Sequence, residues 1–81
     1  MNQQESERIN VIVNKLVDLN GQLSQEMSAL KSENENLSNS VNFLYAGNAA
    51  THKENINLIE LNIRHIHASI KHYGEELSRN I

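Results

Sequence analysis

Apolar residues recur at every seventh position through the first half of the chain: Ile9, Leu16, Leu23, Leu30, Leu37 and Leu44. Ile12 and Leu19 stand three residues beyond their predecessors in this series, whereas Met27 and Val41 stand four beyond theirs. Spacings of three, four and seven gather side chains on one face of a helix, and the strict alternation of a strand is missing. The pattern predicts a helix over about residues 6–44, roughly 57 Å long at 1.5 Å of rise per residue. A sustained three-four alternation is the coiled-coil period. The move from the third to the fourth residue at Met27 implies that the second stripe drifts as it does in an ordinary helix. Asn34 falls where that stripe should be apolar, as either a register-setting seam residue or a solvent-facing one. The run 31–40, KSENENLSNS, is weak in helix propensity. The helix is expected to continue through it on Leu30, Leu37, Val41 and Leu44; a break near 32–36, giving three helices, is the alternative.

The second half is more regular. Ile56, Ile59, Ile63, Ile66, Ile70, Tyr73 and Leu77 alternate threes and fours without a fault, which predicts a helix over about residues 52–78. Between the two halves, the stretch 45–51 reads YAGNAAT. Gly47 and Asn48 tolerate left-handed backbone, a common helix stop. Thr51 and Glu54 have the T-x-x-E spacing of a capping box, in which the threonine oxygen and the glutamate satisfy each other's backbone amides. A stop and a start this close predict a turn over 45–50 and antiparallel neighbours. The fold class is therefore all-α, a single helical-hairpin domain over 1–81 with the two stripes as its interface.

Val11, Val13 and Val17 on the first arm, and Leu58 and Leu61 on the second, are apolar beyond what one seam covers. At about 25 cal/mol per Å² of apolar surface, covering a few hundred Å² is worth several kcal/mol. A dimeric four-helix bundle is the simplest way to cover it, with a homodimer or a heterodimer with another helical protein equally open. Gly21, inside the first helix, costs about 1 kcal/mol relative to alanine. It marks either a close helix contact or a tolerated exposed glycine.

Composition narrows the function classes. Cysteine is absent, which removes disulfides and thiolate ligands; proline and tryptophan are absent as well. Hydrophobic residues make up 38% of the chain, too many for a typical disordered segment. No apolar run reaches the length of a membrane span, and the start, MNQQESER, does not predict a cleavable signal peptide. A cytoplasmic location, or secretion without such a peptide, is the expectation. The net charge of -3, with Arg8, Lys15, Lys31, Lys53, Arg64, Lys71 and Arg79 dispersed, opposes nucleic-acid binding. Of the histidines, His65 and His72 share a face while His52 and His67 stand apart, and neither H-E-x-x-H nor E-x-x-H occurs. No paired carboxylates mark a cleft. The chain is expected to be no enzyme, and to take no cofactor, metal or small-molecule substrate.

On Tyr45, Ala46 and Gly47, followed by Asn48 and Ala49, the chain resembles the WXG-type helical hairpins of type VII secretion systems. These carry a W-x-G turn near mid-chain; here tyrosine stands in the tryptophan position. The resemblance implies a non-enzymatic partner, adaptor or targeting subunit of a secreted substrate, dimeric with a related hairpin or with the helical domain of a larger effector. The family's export signal, a tyrosine followed four residues later by an acid, is not matched: four residues beyond Tyr73 stands Leu77. A structural or assembly coiled-coil subunit, or a small chaperone outside that system, is the alternative.

Overall fold

In a computed structural model the chain forms two α-helices, α1 (Gln3–Asn42) and α2 (Ala46–Arg79), packed on each other. The structure describes the backbone of residues 2–42 and 46–81 and the side chains of residues 2–40 and 48–81. The packing expected of Val41 and Leu44 and the turn role of Tyr45 lie outside the described residues. The molecule measures 63 × 15 × 12 Å, the length of one long helix and the width of two.

α1 starts earlier than the apolar pattern suggests, because Asn2 caps it. The Asn2 side-chain oxygen accepts the Glu5 N–H at 2.8 Å, satisfying one of the amides that a helix start leaves unpaired, and its carbonyl accepts the Ser6 N–H at 3.0 Å as the first helical bond. Glu5 in the first turn adds a favourable charge next to the helix dipole. The weak stretch 31–40 is helical throughout, so the three-helix alternative falls. Leu30, Glu33 and Leu37 are half-buried against α2, and this packing outweighs the low local propensity.

The start of α2 also differs from expectation. Residues 46–50 are helical, so the turn drawn over 45–50 is largely helix, and Gly47 belongs to the first turn of α2. Thr51 and Glu54 lie inside the helix rather than at its cap. A capping threonine needs non-helical backbone, whereas Ala46, Ala49 and Ala50 are the best helix formers and carry the helix back past it. At the far end, Asn80 closes α2: its N–H reaches the Leu77 carbonyl at 3.1 Å and its Nδ2 donates to the Glu76 carbonyl at 2.7 Å. Arg8 Nη1 donates to Asn80 Oδ1 at 3.4 Å, tying the start of α1 to the end of α2.

Candidate interaction surface

The seam between the helices is best described with heptad letters, taking Ile9 as position a of α1 and Ile56 as position a of α2. In α1, Ile9, Leu16, Leu23, Leu30 and Leu37 occupy a and are all half-buried. Position d, three residues on, holds Ile12, Leu19, Glu26, Glu33 and Ser40, and each of these is half-buried or buried. The seam therefore keeps a strict three-four period, contrary to the expected drift. Met27 is 58% exposed, and Asn34 is exposed while its neighbour Glu33 faces α2. The leucines at a fix the rotation of α1, and a rotation shared over five heptads decides what sits at d whatever its polarity.

α2 supplies Ile56, Ile63, Ile70 and Leu77 at a, and His52, Ile59, Ile66, Tyr73 and Asn80 at d, all half-buried or buried. Ile56, Ile59, Ile63, Ile66, Ile70, Tyr73 and Leu77 of α2 and Ile9, Ile12, Leu16, Leu19, Leu23, Leu30 and Leu37 of α1 are half-buried or buried, whereas Met27, expected in the second stripe, is not part of the seam. Its polar members Glu26, Glu33, His52 and Asn80 have hydrogen-bond partners. Glu33 Oε2 lies 2.7 Å from His52 Nδ1, with both side chains about three-quarters covered; a carboxylate accepts, so the ring N–H donates. Asn62 Nδ2 donates to Glu26 Oε2 at 3.5 Å. Together with Arg8 and Asn80, these pairs fix an antiparallel register. Among the described residues no buried side-chain nitrogen or oxygen lacks a partner. Sequence reasoning missed Glu26, Glu33 and His52 as seam residues; the signal available was their three-residue spacing from Leu23, Leu30 and Ala49.

What the hairpin does not do is enclose a core. Among the described residues Ile12, Ile56 and Ile66 are the buried hydrophobic ones, and no side chain is less than 2% exposed. Val11, Val13, Val17, Met27, Leu58 and Leu61 stay substantially exposed. Val13 and Val17 do not share a face with Leu58 and Leu61. The Glu26–Asn62 pair sets Leu61 and Leu58 level with residues 27 and 30 of α1, about 15–25 Å along the axis from the valines at 1.5 Å per residue. Leu58 and Leu61 also occupy c and f of α2, facing away from the seam, whereas Val13 and Val17 occupy e and b of α1, beside it.

Chemistry is sparse. Among the described residues no group of three or more histidines, cysteines, aspartates or glutamates is placed to hold a metal ion. His72 lies edge-on to Tyr73, 5.1 Å between ring centres, and 4.0 Å from Glu76. The depressions in the surface are open grooves along α1 rather than enclosed cavities, and an open groove does not exclude water from a reacting group. No helix is long and apolar enough to cross a membrane, within the described residues. No known protein family matches the chain, and no curated protein or solved structure matches it either.

Proposed function

We propose that this hairpin is a non-enzymatic protein–protein interaction module whose helices are completed by those of another protein chain. The observation that carries the reading is the unfinished seam: in a hairpin 63 Å long, no side chain among the described residues is fully enclosed. Two helices cannot surround a core, and small domains of this kind gain stability from association when disulfides and metals are missing. Apolar side chains left around the hairpin supply the surface for it.

The experiment is a measurement of mass and of urea stability across protein concentration, with a photo-crosslinking residue placed at Val17 or Leu61 in the living host. An interaction module gains stability with concentration or becomes crosslinked to a defined chain. A hairpin that is monomeric and equally stable at every concentration, and crosslinks to nothing, refutes the reading.

A finer version follows from the WXG-like stretch: a partner, adaptor or targeting subunit of a type VII-like secretion substrate. It is supported by the two-helix form and by the position of Gly47 at the junction of the helices. Tyr45→Ala and Gly47→Ser are then expected to abolish partner binding and export together. If both survive, the assembly coiled coil or small chaperone is the better version.

A further inference from the structure

Independently of the interaction reading, we infer that this hairpin docks on an anionic lipid surface through the side formed by positions e and b of both helices. Contacts across the seam fix where that side lies. Arg8 at g reaches Asn80 at d, and Asn62 at g reaches Glu26 at d. The g positions of both helices therefore share one side of the hairpin, and the e positions, with b beside them, share the other. Neither helix alone is a basic amphipath; their pairing makes one. On the e and b side, α1 presents the exposed Val13, Val17 and Met27, and Lys31 is its one charge there. α2 presents Lys53, Arg64 and Lys71 beside His67 and one acid, Glu60, all exposed. Four of the seven lysines and arginines thus gather with one of the ten acids, on a chain whose net charge is -3. The opposite side lacks this excess: Arg8, Lys15 and Arg79 are matched there by Asp18 and Glu76, with Glu26 and Glu33 at the adjoining d positions.

The apolar and basic rows also coincide along the axis. With Asn62 level with Glu26, Lys71 and Arg64 stand level with Val17 and Ser24. The cations from Lys71 to Lys53 span about 27 Å at 1.5 Å per residue, a stretch that includes Val17 and Met27. At 3.6 residues per turn, e and b lie about 70° and 130° from the direction of the seam. They straddle the perpendicular to the plane of the two helices, so the four rows make one flat face. A planar lipid surface touches all four rows at once. A helix seated in the groove between α1 and α2 would cover the e rows and leave Val17, Lys31, Arg64 and Lys71, all at b, on its flanks. On a membrane, valine and methionine enter the boundary between headgroups and acyl chains, while the long lysine and arginine stems carry their charge to the lipid phosphates. Each cation held near an anionic surface adds to the attraction.

The test is co-sedimentation of the full chain with vesicles of phosphatidylcholine alone and of phosphatidylcholine mixed with phosphatidylglycerol. Binding is expected to the mixed vesicles only, and to weaken steeply between about 0.05 and 0.5 M salt as screening shortens. Arg64→Gln with Lys71→Gln is expected to weaken it about fivefold for each cation removed. Lys15→Gln with Arg79→Gln, an equal change in net charge on the opposite side, leaves it nearly unchanged. Val17→Ser weakens it as well, and Val11→Ser, at c of α1, does not. All six residues are exposed in the hairpin, so helicity by circular dichroism is retained in every variant. Failure to bind the mixed vesicles at low salt overturns the proposal. So does binding that the Lys15 and Arg79 changes weaken as much as the Arg64 and Lys71 changes, because bulk charge rather than this face is then responsible. A chain that ignores the vesicles while Val17 crosslinks in the host to another protein also overturns it, and leaves the interaction reading intact. Face-specific vesicle binding by a chain that is monomeric and crosslinks to no protein supports the proposal and refutes the interaction reading alone.

Discussion

The two halves of the seam follow one geometric rule with different chemistry. Toward the free ends, Ile9, Ile12, Leu16, Leu19 and Leu23 lie opposite the C-terminal half of α2, whose seam is Ile63, Ile66, Ile70, Tyr73 and Leu77. Both seam positions are aliphatic or aromatic there up to the closing Asn80, and two of the three buried hydrophobic side chains among the described residues, Ile12 and Ile66, belong to it. Toward the junction of the helices, position d of α1 is polar at Glu26, Glu33 and Ser40, and α2 answers with His52 and Asn62. The free-end half is held by aliphatic burial, which is strong and indifferent to register. The junction half adds to the burial of Leu30, Leu37, Ile56 and Ile59 the covered Glu33–His52 pair, which contributes little net stability but is lost when the helices slide. The difference teaches that adhesion is shared along the seam, whereas the covered polar pair that senses alignment sits in the junction half.

The largest effect that tests this comparison is a cavity in the free-end half. Ile66→Ala is expected to cost about 2–4 kcal/mol in urea unfolding, because a buried isoleucine loses both its transfer energy and its packing. Leu30→Ala, in the half-buried junction half, should cost distinctly less; equal losses would erase the contrast. Next, converting the junction half to the chemistry of the other, with Glu33→Leu and His52→Leu together, is expected to gain about 1–2 kcal/mol. Replacing both partners of a covered polar pair by apolar groups is often stabilising. The cost should appear in alignment, as broadened amide spectra or a mixture of assemblies, and a single sharp state would show that the pair is not needed for register.

A double-mutant cycle on Glu33→Ala and His52→Ala comes third, with an expected coupling of about 0.5–1 kcal/mol for a pair that is partly exposed. Coupling indistinguishable from zero would mean that the 2.7 Å approach contributes nothing to folding. The smallest effect concerns the helices themselves. Gly74 lies inside α2 with open space around its missing Cβ, so Gly74→Ala should stabilise the chain by about 0.5–1 kcal/mol. A loss of stability in that thermal melt would reveal a neighbour that the single hairpin does not contain.

Much of this molecule was legible in the residues. The seven-residue spacing from Ile9 to Leu37 and the unbroken series from Ile56 to Leu77 dictated two long helices and which of their faces meet, because a helical period repeated over many turns admits few alternatives. The surplus apolar residues Val13, Val17 and Leu61 were legible as exposed surface for the same reason. Helix ends were not. Asn2 caps α1 where no apolar residue announced a helix, and α2 starts before the capping spacing of Thr51 and Glu54, with alanine at 46, 49 and 50, since a cap is worth only about 1 kcal/mol and is easily overridden.

The choice between Glu26 and Met27, and between Glu33 and Asn34, belonged to the tertiary structure alone. Hydrophobicity favours Met27 at the interface, and one helix considered by itself has no reason to refuse it. Only the partner helix, with isoleucines and leucines at every a position demanding a straight shared seam, makes turning the methionine inward more costly than covering a glutamate. Once that rotation is set, His52 and Asn62 arrive from α2 to pair the two carboxylates, 19 and 36 residues away along the chain. The same rotation leaves Val13, Val17 and Met27 on the outside of α1. Sequence alone determined that this chain is two helices with more apolar surface than they can share. Which residues the helices share, and which are left facing outward, was decided by the rotation that packing imposes.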